Sequence, residues 1–246
     1  MVKPNKTMRT KTLSIITSAL LAGVAAHGQQ TRIVLQGTGA PQVFSSIYDA
    51  VAAAQPNDKL YFSGGVFLAD TGLTLNMPLH FIGAGIHPDS TSVTSWTSIT
   101  TSSFYDVVFT TGASGSSYTG IRFSPGGDLQ YGTNVANDDP VGLLFERCSL
   151  EYIQLAIAEP GTSSTTFREC IFYDGIYGYG GAATIDRCVI QGNPINLFRP
   201  SGLTMLNSVI LGQRLQNSQN AIVQNCIFTY EGAPLWQVSG VQISNS

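Results

Sequence analysis

In the second half of the chain, apolar and polar positions recur at intervals of about 20 residues. The segments FERCSL (145–150), FRECIF (167–172), IDRCVI (185–190), MLNSVI (205–210) and VQNCIF (223–228) align, and ISNS (243–246) begins a sixth. Their shared reference position is held by Cys148, Cys170, Cys188, Ser208, Cys226 and Ser246, in steps of 22, 18, 20, 18 and 20 residues. YTGIRF, from Tyr118, is a weaker earlier member with Ile121 at that position. Three residues before the reference stand Phe145, Phe167, Ile185, Met205 and Val223; two after it stand Leu150, Phe172, Ile190, Ile210 and Phe228. The two offsets differ in parity, whereas side chains of a continuous strand alternate with period two. A sharp bend just before the reference residue lets both sets face inward. Asn207 and Asn225 stand at that bend, and Asn is the non-glycine residue that best tolerates left-handed backbone. Strand, bend and strand at this period predict one coil of a parallel β-helix. A leucine-rich repeat has a similar period, but its Leu-x-x-Leu-x-Leu pattern is missing, and a β-sandwich has no reason to repeat one cysteine register.

Upstream, FSSIYDAVAAAQPNDKLYFSGGVF predicts a short helix, a turn and the first coil. Ser45 or Ser46 suits the N-cap, Ile47, Val51 and Ala54 share a face, and QPND ends the helix. Such a helix covers the open end of the coil and its strand edges. This entry segment and the coil pattern together resemble the right-handed parallel β-helix proteins of the pectin-lyase-like superfamily. PLHFIGAGIHPDST, from Pro78, is similar to a segment near the start of many secreted bacterial β-helix proteins of unknown role. The resemblance covers about residues 31–246. It implies an all-β, right-handed parallel β-helix with a short N-terminal capping helix. It says little about activity, because one scaffold hosts many functions.

The first residues stand apart. Lys3, Lys6, Arg9 and Lys11 precede the apolar run LSIITSALLAGVAA, and small residues follow. This is the pattern of a secretory signal peptide, taken as residues 1–28, and the run is too short for a comfortable membrane span. Residues 29–246 are then the β-helix domain. Of 12 basic and 15 acidic residues, the leader carries four basic ones, so the mature charge is about −7. A basic surface for nucleic acid is therefore not expected, nor is a transmembrane segment in the mature chain. Only 11% of residues are charged, less than half the usual globular share. The expected location is extracellular or on the cell surface. ISNS stops at the reference residue of a coil, so the reading takes the domain as truncated at its C-terminal end.

Four cysteines in a secreted chain raise the question of disulfides. All four share one register, stacked on coils about 4.7–4.9 Å apart, which holds parallel side chains slightly too far apart for a relaxed disulfide. The expectation is an inward ladder of free thiols at Cys148, Cys170, Cys188 and Cys226, with Ser208 interposed, packing as small apolar residues. Beyond the leader only His80 and His87 remain, and no Cys-x-x-Cys occurs, so no metal centre is expected from these residues. Just before the reference, Arg147, Glu169 and Arg187 alternate in sign, as do Glu146, Arg168 and Asp186 one residue earlier. Stacked opposite charges support a parallel register.

Two stretches remain as candidate sites. CIFYDGIYGYGG, from Cys170, offers Asp174 among Tyr173, Tyr177 and Tyr179, an acid with aromatic rings that suit sugar faces and equally suit half-buried corners. SPGGDLQYGTNVANDDP, from Ser124, is a longer loop with Asp138 and Asp139, and with Asp128 nearby. Acids there suit calcium or glycoside hydrolysis. GTGA near Gly37 and GAG near Gly83 are turn glycines without a nucleotide-binding context. The resemblance brings three enzyme types into view: pectate or pectin lyases, polygalacturonases and pectin methylesterases. Their motif sets are not found in this sequence, and Arg199 is the isolated arginine to test against the lyase pattern. The leading expectation is a non-catalytic binding or structural protein that contacts an extracellular polysaccharide or surface glycan, without a cofactor. The alternative is a polysaccharide-degrading enzyme, a pectate-lyase-like lyase or a glycoside hydrolase, with calcium as the cation to supply.

Overall fold

The computed structural model describes residues 31–86, 95–102, 106–124, 129–133, 138–155, 161–178, 180–192, 195–197, 202–212, 214–229 and 232–246. Residues 1–30, where the signal peptide was expected, and His87, Asp128, Tyr179 and Arg199 lie outside the described residues. The chain forms a parallel β-helix of about seven turns. Among the described residues, the strands stack into one sheet of 11 and two sheets of 8. Each coil therefore carries three strands, one per sheet. The sequence pattern had exposed two of them.

The first sheet stacks Tyr118, Phe145, Phe167, Ile185, Met205 and Val223 in one inward column, which Ile243 continues half-exposed on the last strand. The second stacks Phe123, Leu150, Phe172, Ile190, Ile210 and Phe228. These are the two apolar offsets, and the bend between them is as expected. Arg147, Glu169, Arg187, Asn207, Asn225 and Asn245 all have φ between 50° and 55°. Left-handed backbone costs a non-glycine residue roughly 1–2 kcal/mol. The cost is offset by pairing, because each corner amide donates to the next coil: Arg147 to the Arg168 carbonyl at 2.9 Å, Glu169 to Asp186 at 3.0 Å, Asn207 to Gln224 at 2.9 Å. The third sheet adds an inward column of Leu129, Ile153, Ile176 and Leu215, all fully buried.

The four cysteines are free and buried, as the stacking distance required. Their role is more polar than simple filling. Each thiol donates to the carbonyl two residues back, across the bend: Cys170 Sγ to Arg168 O at 3.3 Å, Cys226 Sγ to Gln224 O at 3.3 Å. Ser208 Oγ does the same to Leu206 O at 2.7 Å. The next coil's side chain then accepts from the reference amide, as Ser208 Oγ does from Cys188 N at 3.1 Å and Ser246 Oγ from Cys226 N at 3.0 Å. A small side chain with one donor and one acceptor therefore closes each corner, and a thiol and a hydroxyl are interchangeable there. Burial pushes the Cys170 thiol up, which keeps it protonated and donating.

The alternating charges pair as expected. Arg168 meets Glu146 at 3.6 Å and Arg187 meets Glu169 at 3.3 Å, each across adjacent coils. Where charge runs out, amides continue the column: Asn207 Nδ2 donates to Asp186 Oδ1 at 3.1 Å, and Asn225 Nδ2 to Asn207 Oδ1 at 3.1 Å.

The N-terminal end is closed by more than a helix. Helix α1 (Ile47–Ala53) is capped by Ser46, whose hydroxyl accepts from the Asp49 amide at 3.3 Å, and it buries Ile47 and Ala50. Beside it, Ile33–Gln36 pairs antiparallel with both Gln42–Phe44 and Lys59–Phe62. This hairpin occupies the edge of the first parallel strand, which would otherwise invite pairing with another chain. Among the described residues, no helix is long and apolar enough to cross a membrane.

Candidate functional site

A groove of about 870 Å³ lies on the outer face of the second sheet. Its floor is Ser149 and Ile171, outward residues of neighbouring strands. One wall is the segment from Ile82 to Ile86 with Trp96 beyond it. The rim carries Arg147 and Glu169 from the left-handed corners, and Tyr173 stands at the far side.

Glycines make the wall possible. A Cβ at Gly83 would overlap the Gly120 carbonyl oxygen, so only glycine lets the wall cross this close to the next coil. The crossing is tied by hydrogen bonds from Gly83 N to Thr119 O at 2.8 Å and from Gly85 N to Gly120 O at 3.0 Å. Thr97, which follows Trp96, plays the corner role of the cysteines: its hydroxyl donates to Ser63 O at 2.9 Å and accepts from Ala84 N at 2.8 Å.

Arg122 is the central polar group of the groove. Its guanidinium lies 5.7 Å from the centre of the Trp96 ring, a cation–π contact, and 3.6 Å from Glu151 Oε1. Ser124 Oγ donates to the same carboxylate oxygen at 2.5 Å. Arg122 Nε is buried with no hydrogen-bond partner. The Arg122 side chain as a whole is 37% exposed and lines the groove, so its terminal guanidinium N–H groups are the donors that an acceptor there can reach. Tyr173 is 49% exposed, an aromatic surface presented to solvent rather than packed away.

The residues singled out from the sequence separate into three groups. Tyr173 lines the groove. Asp174 turns the next corner and accepts from the Gly175 amide at 2.7 Å. Tyr177 lies round that corner on the third sheet, stacked on Tyr152 with ring centroids 4.9 Å apart at 27°. Burial, with the charge of Asp174 adding to it, raises the Tyr177 hydroxyl above its ordinary value. Asp138 and Asp139 anchor their own loop. Asp138 Oδ2 accepts from the Thr133 hydroxyl at 2.9 Å and amide at 3.2 Å, and Asp138 Oδ1 from the Thr111 amide at 3.4 Å. Desolvation opposes ionisation of Asp138, but these bonds outweigh it and hold the carboxyl below its usual value. Asp139 is buried and accepts from the Thr162 amide at 2.9 Å. Desolvation dominates there and pushes its carboxyl up, with the Asp138 charge adding to the rise. The two neighbouring carboxylates thus bond to different segments and do not converge on one point.

Sequence reading missed Trp96 and Arg122. Arg122 carries a readable signal, since it is the outward residue between the inward Ile121 and Phe123 of a recognised coil. Trp96 carries none, because the segment before it interrupts the repeat.

No protein-family model matches the chain, and no curated protein matches it. Among solved structures, crystal structures of the pectin methylesterase from Aspergillus niger in two deglycosylated forms are similar. One is 16% identical, covering 85% of this chain and 84% of that chain, with a TM-score of 0.32. The other is 14% identical, covering 86% and 85%, with a TM-score of 0.27. Neither likeness bears on the chemistry of the groove.

Proposed function

We propose that this is a secreted or cell-surface β-helix protein that binds extracellular glycans in the groove between Trp96 and Tyr173 without altering them chemically. The observation that carries the reading is the partly exposed Arg122 guanidinium, held against Trp96, in a groove that also presents Tyr173. Sugars offer oxygen acceptors for such a donor and apolar ring faces for Trp and Tyr. Among the described residues lining the groove, Glu169 is the one carboxylate, and it is paired with Arg187 at 3.3 Å. Two-carboxylate glycoside hydrolysis needs a second acid on the opposite side of the scissile bond. The test is a glycan array probed with the full secreted chain, followed by titration of any hit with Trp96→Ala and Tyr173→Ala. Retention that both substitutions weaken supports the reading, and retention indifferent to both refutes it. The same samples, supplied with calcium, are assayed for new reducing ends and unsaturated sugars. Product that accumulates with time replaces binding by polysaccharide degradation.

A further inference from the structure

Strand register does not explain where the Arg122 side chain is drawn. Its in-register neighbours are Ser98 on the coil before and Ser149 on the coil after, both buried and neither charged. Elsewhere ion pairs run straight between register partners, as Arg168 does to Glu146. The Arg122 pair runs diagonally instead. Glu151 follows Leu150, the partner of Phe123, and Trp96 precedes Thr97, the partner of Ile121. The guanidinium therefore lies between a carboxylate from the coil after, at 3.6 Å, and an indole ring from the coil before, whose centre is 5.7 Å away. Glu151 is not among the described residues that line the groove; it reaches the groove through Arg122.

An isolated ion pair with both side chains this exposed contributes little, because holding two long side chains in one geometry costs entropy. Here one partner is fixed beforehand. Ser124 Oγ donates at 2.5 Å to Glu151 Oε1, the same oxygen that faces Arg122, and a hydroxyl donating to a carboxylate forms a short, strong bond. Ser124 is itself tied into the sheet, its amide donating to Ile99 O at 3.0 Å. A carboxylate anchored in this way leaves less freedom to lose when the arginine pairs with it, and the cation–π contact with Trp96 adds attraction from the other side. We propose that Glu151 is a positioning residue of the groove: anchored by Ser124, it holds the Arg122 guanidinium against Trp96 in the orientation that a bound glycan meets. The consequence for binding rests on the glycan-binding reading of the groove, whereas the positioning itself is measurable without a ligand.

The experiment uses the full chain with Trp236→Phe, which leaves Trp96 as its one tryptophan. Acrylamide quenching of Trp96 emission reads the contact without ligand, and titration with glucose, mannose and galacturonate hexasaccharides reads its consequence. The variants are Glu151→Ala, Glu151→Gln and Ser124→Ala, with Asp186→Asn as a charge control on the first sheet, each checked for an unchanged melting temperature. Glu151→Ala is expected to increase quenching of Trp96 and to weaken binding of any retained hexasaccharide about fivefold. Glu151→Gln keeps an acceptor oxygen for Ser124 and Arg122 and brings binding back to within about twofold of the parent, with Trp96 quenched as in the parent. Ser124→Ala falls between the two, and Asp186→Asn changes neither reading. Should Glu151→Ala lower the melting temperature, Ser124→Ala takes its place. Quenching equal to the parent in the substituted chain overturns the proposal. So does a Glu151→Gln chain as impaired as Glu151→Ala, or weakened binding with Trp96 unchanged. Binding of no hexasaccharide counts against the glycan reading of the groove alone, because quenching still decides the positioning.

Discussion

The coils from Val141 onward and the coils before Phe123 are built from the same three columns, yet they solve the corner differently. In the later coils every step in the first sheet is 18 to 22 residues, and each corner is a left-handed Arg, Glu or Asn followed by Cys or Ser. In the earlier ones 37 residues separate Phe81 from its partner Tyr118, and the corner before Ile121 is Gly120, at φ 66°. The earlier core is aromatic: Phe62, Phe81, Phe109, Tyr118 and Phe123 meet edge to face or tilted at 5.1–5.8 Å, and the rings run on through Phe145, Phe167 and Phe172 before the core turns aliphatic from Ile185. The lesson is positional. The groove forms where Ile82 to Ile86 and Trp96, from the irregular part, stand beside the first regular corners, Arg147 and Glu169.

Six substitutions test this division, beginning with the largest effect. Phe145 joins the two regions. It is fully buried and stacked between Tyr118 at 4.8 Å and Phe167 at 5.4 Å. Phe145→Ala is expected to cost about 3–5 kcal/mol by chemical denaturation, and a loss below about 1 kcal/mol would mean the two regions do not share one core. Within the regular coils, Cys170→Ala removes both the donor to Arg168 O and the packing, for about 1–3 kcal/mol, whereas Cys170→Ser keeps the bond and costs under about 1 kcal/mol. Equal losses in the two variants would show that the ladder is apolar packing after all. At the groove the expectation reverses. Tyr173→Ala leaves stability within about 0.5 kcal/mol while weakening glycan binding about tenfold, as titration calorimetry would report.

The smallest effect lies in the loop. The Asp138 carboxyl is held below its usual value in the folded protein, so its contribution is present above the ordinary carboxylate pKa of about 3.9 and is lost as pH falls through the lower folded value. Asp139 is raised, so its contribution is present below the ordinary value and is lost as pH rises through the higher folded one. Asp138→Asn should flatten the acid-side fall in melting temperature, and Asp139→Asn should raise the melting temperature near neutrality by comparison. Shifts of the same sign in both variants would contradict the assignment.

This contrast also explains what was legible in the sequence. The parity argument located the left-handed bend because Asn207 and Asn225 advertise it, and the sign alternation located the Arg168–Glu146 and Arg187–Glu169 pairs. The third strand of each coil was illegible. Its strands are two or three residues long, and the spacing between second and third strands varies too much to align. The antiparallel hairpin at Ile33–Phe44 was hidden for a related reason, since strands of four and three residues carry little periodicity. At the candidate site, Tyr173 was legible as an aromatic at a corner. Trp96 was not, because the stretch before it breaks the repeat spacing. Asp138 and Asp139 looked chemical because adjacent acids are rare in this chain, and hydrogen bonds to Thr111, Thr133 and Thr162 are what their neighbours make of them.

The measurement closest to the central claim, that recognition sits where the repeat is interrupted, is hydrogen–deuterium exchange of the full chain with and without a glycan that it retains. The account predicts ligand-dependent protection at residues 82–86, 119–122 and 171–173, with the first-sheet strands from Val141 to Leu206 unchanged. Protection confined to those regular first-sheet strands would contradict it.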